Sequence, residues 1–274
     1  MINLLIGISS RIFSNSFLNV FQKILTKRGE YSSVVNFFTY LGLTIIALTF
    51  CNNPIFNIEI LPNIFIMGFL GALGNYFIVK ALSCGELSAL APINSYKPIV
   101  ALAIGFVVLQ EIPGLREILG IVLILIGTLF LGGSKILFNK STLYRFIALI
   151  LLGTEAIFIK KVILLSDVNS AFLYWVCTGL IFTFIFALLS RHPIRIQKEN
   201  IPAQLTLIIL VAIMQYSTNY VFAKMNVAYA LALFQLSTIL SVFLGVNIFK
   251  EKDLIKKLVA SLIMIFGASL IILS

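Results

Sequence analysis

The chain has 274 residues, of which 60% are hydrophobic and only 11% charged, with a formal net charge of +10. Mean hydropathy is +1.09. A soluble domain must clothe its exterior in polar groups and cannot hide this much apolar surface, so a cytosolic enzyme, a nucleic-acid-binding module and a disordered chain are excluded. A polytopic membrane protein remains. Its excess of Lys and Arg then reads as the mark of cytoplasmic loops rather than of nucleic acid.

A span needs about 20 apolar residues to cross about 30 Å of hydrocarbon. The hydropathy pattern predicts ten spans, at 3–24, 31–50, 62–82, 87–109, 115–133, 143–164, 169–189, 202–223, 226–249 and 255–273. Polar or turn-forming runs separate them, such as Lys27-Arg28-Gly29-Glu30, Asn52-Asn53-Pro54 and Arg191-His192-Pro193. The apolar stretches are too long and continuous for barrel strands. The N-terminus lacks early positive charge and a small-residue cleavage pattern, so it reads as the first span rather than a signal peptide. Loops following odd-numbered spans carry 14 of the 20 Lys and Arg. That bias predicts odd loops in the cytoplasm and both termini outside.

The first span carries Arg11, Asn15, Asn19 and Gln22 at spacings of 4, 4 and 3, which is one helical face. A lipid-facing helix would not bear such a stripe, so this face points into the protein. Span 3 adds Asn75 and Tyr76, span 4 Asn94 beside Lys97, span 8 Gln215 and Asn219, and span 9 Gln235. Hydroxyl, amide and aromatic groups in this mixture suit a polar organic solute. Interhelical hydrogen bonding would use the same groups.

Arg11, Lys97 and Glu155 lie near the middle of predicted spans, where a charge needs a partner or a wet cavity. A buried ion pair between Glu155 and Arg11 or Lys97 is the structural expectation. A substrate or proton site is the functional one. Pairing one cation with Glu155 leaves one positive charge over, which favours an anionic or zwitterionic metabolite. Glu155 is the only acidic side chain deep in a span and so the candidate proton carrier. Pro92 and Pro98 interrupt span 4 and predict a bend there, a hinge or a static kink beside the site. Trp175 and Tyr174 in span 7 read as core or lipid-facing aromatics.

The second half of the chain repeats the first. At an offset of 140, Gly105, Glu111 and Gly127 meet Gly245, Glu251 and Gly267; at 144, Asn75-Tyr76 and Lys80 meet Asn219-Tyr220 and Lys224. Glu111 and Glu251 close their spans and are expected to organise loops or gates. Five spans per repeat is an odd number, so the second repeat, 138–274, must enter the membrane from the side opposite to the first, 1–137. Inverted repeats of this kind are an architecture of secondary transporters.

Residues 85–133 run Ser88-Ala89-Leu90-Ala91-Pro92, Lys97-Pro98-Ile99-Val100-Ala101, Gln110-Glu111, Gly120 and Gly127. This resembles the drug/metabolite transporter superfamily, in particular its EamA-domain group. The second copy keeps Glu251 and Gly267 but has Thr238 and Ile239 where the first has a proline motif, and Ala260 in place of a glycine. The resemblance implies an all-α integral membrane fold of ten helices in two inverted five-helix repeats around a central substrate cavity. It also implies cytoplasmic termini, against the loop charges.

The expected activity is alternating-access transport of a small polar metabolite across the cell membrane, with proton coupling through Glu155. The expected partners are that solute and the lipid bilayer, with no nucleic acid. Neither a cofactor nor a metal is expected: the one histidine, His192, sits in a loop, and the three cysteines form no C-x-x-C pair. A membrane-embedded lipid-modifying enzyme is the alternative, but no nucleophile stands at catalytic spacing from a base. An accessory subunit of a lipid translocator is a further alternative. No Walker motif accompanies these helices, so ATP-driven pumping by this chain alone is not expected.

Overall fold

The computed structural model describes residues 2–51, 53–85, 90–110, 114–132, 139–237, 239–240, 243–244 and 254–272. Among them every regular element is helical. The helices are α1 (Ile2–Lys27), α2 (Ser32–Phe50), α3 (Leu61–Cys84), α4 (Lys97–Val108), α5 (Leu115–Gly132), α6 (Lys140–Leu165), α7 (Val168–Leu189), α8 (Ile201–Lys224), α9 (Val227–Phe234) and α10 (Leu254–Ile272), with short 3-10 turns at Ile58–Ile60, Ala91–Tyr96 and Lys198–Asn200.

Local chemistry sets many of the helix starts. Asn139, Asp167 and Asn226 cap α6, α7 and α9, their side-chain oxygens accepting from Thr142 N, Ser170 N and Ala228 N at 3.0, 2.6 and 2.8 Å. Proline stands in the first turn of α3, α4 and α8, where a missing N–H costs nothing.

Among the described residues five helical stretches are long and apolar enough to cross a membrane: Ile2–Lys27, Ser32–Phe50, Ile58–Cys84, Val168–Leu189 and Lys198–Lys224. The remaining predicted spans differ for identifiable reasons. Within span 4, residues 91–108 are not one helix but a 3-10 segment followed by α4, because Pro92 and Pro98 each open a new helical segment. In span 9 the helix α9 ends at Phe234, Gln235 forms a turn, and the described residues 236–237, 239–240 and 243–244 beyond it are helical again. Helix α6 is long but carries five charged residues, Lys140, Arg145, Glu155, Lys160 and Lys161, and buries much of its length in protein instead of lipid. Lys97–Val108, Ile118–Thr128 and Leu262–Ile271 are shorter apolar helices. Arg145 and Lys160, counted with the loop cations because they lie near the two ends of span 6, sit within α6. Arg145 is 1% exposed, and the Lys160 ammonium donates to the carbonyls of Phe222 and Met225 at the C-terminal end of α8.

The packing shows the repeat directly. Numbering α1–α5 against α6–α10, the extensive contact of α1 with α8 has its image in α6 with α3, and α2 with α8 in α7 with α3. Each of α2, α4 and α5 also packs on its own counterpart. The counterparts α2 and α7, and likewise α5 and α10, run antiparallel. Along α2 and α7, Ser33 Oγ donates to Ser190 Oγ (3.0 Å), Tyr40 lies against Gly179, Thr44 Oγ1 donates to Val176 O (3.4 Å), and Cys51 Sγ reaches Asn169 O (3.2 Å), so one number rises as the other falls. Large apolar side chains such as Phe13, Ile45, Phe106, Leu119, Ile181, Ile209 and Phe266 face outward around the bundle. So extensive an apolar exterior is that of a protein solvated by lipid.

Candidate functional site

A single cavity gathers polar side chains from both halves of the chain. Helices α1, α3 and α4 and the preceding 3-10 turn line it from one half, and α6, α8 and α9 from the other. Of the residues singled out from sequence, Arg11, Asn15, Asn19, Asn75, Asn94, Lys97, Glu155, Gln215 and Gln235 line it, as does Gln22. About 70 Å³ is open to the centres of water molecules, room for several.

Within the wall, Asn15 Nδ2 donates to Ser237 Oγ at 3.0 Å, and Ser16 Oγ donates to Ser237 O at 2.9 Å, joining α1 to the chain just beyond α9. Asn75 Nδ2 donates to Tyr40 Oη at 3.0 Å. The amides of Asn19 and Gln235 turn back to their own helices, donating to Asn15 O (2.6 Å) and Leu231 O (3.0 Å). These helix-internal bonds are the kind a ligand can replace. Asn94 Oδ1 and Gln22 Oε1 are buried without a partner. Each is a hydrogen-bond acceptor still to be satisfied.

Among the described residues the expected ion pair of Glu155 with Arg11 or Lys97 is not formed. Glu155 Oε1 instead accepts from Trp175 Nε1 at 2.5 Å, both side chains being buried. Arg11 holds its guanidinium over the Phe234 ring, 5.0 Å from its centroid, and its Nε and Nη1 are buried with no hydrogen-bond partner. Lys97 lies within the electrostatic influence of Arg11, Arg145 and Glu155. The reason is geometric: Gly71 on α3 lacks the side chain that would overlap Glu155 Oε1 and Trp175 Nε1, and so leaves the space in which carboxylate and indole meet.

Two of the singled-out residues stand elsewhere. Asn219 is fully buried behind Gln215, whose Nε2 donates to its Oδ1 at 2.9 Å. Tyr76 packs on Phe77 and Phe186, with the Lys80 ammonium 5.3 Å from its ring centroid. Pro98 belongs to the first turn of α4 rather than to a helix interior, and Pro92 to the first turn of the 3-10 segment. Glu111 and Glu251 lie outside the described residues. Sequence reasoning missed the apolar part of the wall, Leu18, Met214, Phe222, Leu231 and Phe234, because nothing separates a cavity-lining apolar residue from a core one in a chain this hydrophobic. Among the described residues no three His, Cys, Asp or Glu are grouped to hold a metal ion.

The sequence pattern of the EamA-like transporter family matches residues 4–133 and again residues 139–273. The chain belongs to the EamA-like transporter family. The two matched stretches are the two halves that meet at the cavity. A relative in Methanocaldococcus jannaschii, the uncharacterized protein MJ1333.1, is 33% identical over 117 residues, which are 42% of this chain and 85% of that one. It is thus similar to part of this EamA-like chain. A protein of known crystal structure superposes with a TM-score of 0.78 over 99% of this chain and 97% of its own, at 14% identity. That likeness establishes a shared fold for the whole EamA-like chain. The protein is a multi-pass membrane protein of a transporter family.

Proposed function

We propose that the chain is a ten-helix secondary transporter of the cell membrane, with residues 1–137 and 138–274 inserted in opposite orientations. It moves a small anionic or zwitterionic metabolite by alternating access, the two repeats rocking about the central cavity. The observation that carries this reading is the convergence of Arg11, Lys97 and Glu155, from α1, α4 and α6, on one polar cavity between the halves. Antiparallel counterpart helices support the inversion. Two cations against one carboxylate favour a solute that brings negative charge. Arg11 supplies unpartnered donors for a carboxylate or phosphate, with Phe234 beneath its guanidinium. Glu155 is the proton carrier in this scheme. Its carboxyl meets the cavity and can be neutralised there without leaving a second buried acid unpaired.

Proteoliposome counterflow tests the reading. Vesicles loaded with unlabelled amino acids, sugar phosphates or nucleotide derivatives should take up the labelled form of the recognised solute in a saturable, transient overshoot. A non-saturable flux would indicate a channel. Modified lipid without solute exchange would indicate an enzyme.

A further inference from the structure

The chain contains one tryptophan, and its indole N–H is spent on the cavity carboxyl. Trp175 is 1% exposed and Glu155 6%. An indole can only donate, and a donor given to an ionised carboxylate makes a stronger, charge-assisted bond than one given to a neutral acid. The bond occupies Oε1. Among the described residues no hydrogen bond engages Oε2, and Glu155 lines the cavity.

The surroundings hold this arrangement tightly. Gly71 of α3, in the opposite repeat, abuts both the carboxyl oxygen and the indole nitrogen. The Tyr40 ring of α2, also in the opposite repeat, packs 4.8 Å from the indole, and its hydroxyl accepts from Asn75, a cavity residue. The carboxyl–indole bond thus lies within the second repeat, α6 to α7, while its walls belong to the first. A change in the charge of Glu155 alters the strength of a bond seated at the seam between the repeats.

We propose that Trp175 is the positioning residue of the transport cycle: it fixes Glu155 so that one oxygen faces the cavity, and it couples the protonation of that carboxyl to the α3–α6–α7 seam. This rests on the carrier reading above. The charged and titratable groups around Glu155 are Lys97 from α4, Tyr40 from α2 and Arg11 from α1 across the cavity, while Arg145, on the helix of Glu155, acts on Lys97. Gln215 from α8, Asn75 from α3 and Trp175 from α7 add no charge.

Because the tryptophan is single, selectively excited indole emission reads this contact in the intact protein. The first measurement is emission of the purified full chain against pH. A single titration step in the wild type, lost in Glu155→Gln, is expected. A flat profile in the wild type, or the same step in Glu155→Gln, overturns the coupling. The second measurement is transport by Trp175→Phe, which removes the donor and keeps an aromatic ring. Proton-driven uptake should fall about tenfold further than counterflow does, as befits loss of a charge-assisted bond. Equal loss of both would mark a merely structural tryptophan and overturn the proposal. Gly71→Ala, which crowds the same two atoms, should show the same split, and the double variant should be no worse than either single one; additive losses count against a shared contact. If the wild type exchanges no solute, the carrier reading falls and takes the transport role with it, while the emission titration still decides whether indole and carboxyl are coupled.

Discussion

Gly120 on α5 and Gly267 on α10 meet backbone to backbone: a Cβ on Gly120 would lie 2.6 Å from the Gly267 carbonyl oxygen, and one on Gly267 would lie 2.7 Å from the Gly120 carbonyl oxygen. The internal repeat pairs Gly120 with Ala260 and Gly127 with Gly267. Gly127 in turn abuts the Ala260 carbonyl oxygen. Exchanging the halves therefore turns the contact of Gly120 with Gly267 into that of Ala260 with Gly127. An exchange that maps one contact onto the other, between antiparallel helices, is a two-fold rotation whose axis crosses them. Small residues let the two helices approach closely where the axis passes.

Gly267→Val should destabilise the fold, since the obstructing atom is a backbone oxygen that cannot rotate away. Overpacking of this kind costs about 1–3 kcal/mol, a fall of roughly 3–10 °C in melting temperature for a chain of this size. The measurement is thermal unfolding of the purified protein in detergent. A midpoint within about 1 °C of wild type would contradict the close crossing.

Glu155→Gln keeps the shape of the side chain and its carbonyl acceptor for Trp175 but removes the exchangeable charge. Gradient-driven uptake should drop by about 100-fold or more, and counterflow by less than about tenfold, as for a group that moves a proton rather than merely shaping the pocket. Uptake that still responds to an imposed proton gradient would remove Glu155 from the coupling role.

Arg11→Gln should weaken binding of an anionic substrate by at least about tenfold, or ~1.4 kcal/mol, as expected for loss of a charge-assisted contact. Half-saturation in counterflow measures it. Tighter or equal binding would mean that the guanidinium over Phe234 serves packing alone.

Native cysteines test the orientation. Cys51 follows α2 and Cys84 ends α3, so the two stand at opposite ends of neighbouring spans. The loop charges put Cys84 on the cytoplasmic side and Cys51 outside. A membrane-impermeant maleimide applied to intact cells should modify Cys51 in preference to Cys84. Labelling of Cys84 in place of Cys51 would reverse the orientation and bring the termini inside.

Much of the site was legible in the linear chain because polar groups are expensive in lipid. The stripe Arg11, Asn15, Asn19 and Gln22 had to face inward on energetic grounds, and all four line the cavity. Asn219 and Tyr76 carried the same signal and are not part of its wall, since a polar residue in a span is satisfied equally well by protein neighbours. Arg145 was misread for a related reason. A cation near a predicted span boundary looks like a loop cation, yet α6 begins at Lys140 and buries Arg145 one turn later.

Composition and hydropathy alone determined that the chain lives in a bilayer and is built of helices, because no other solvent accommodates so much apolar surface. The repeated glycines and polar residues fixed its two-fold plan. Only the tertiary structure decided the partner of Glu155. Charge matching pointed to Arg11 or Lys97, whereas the assembled helices bring the indole of Trp175 into the gap beside Gly71. A hydrogen bond depends on which atoms packing places within reach, and that geometry is absent from any order of residues along a line.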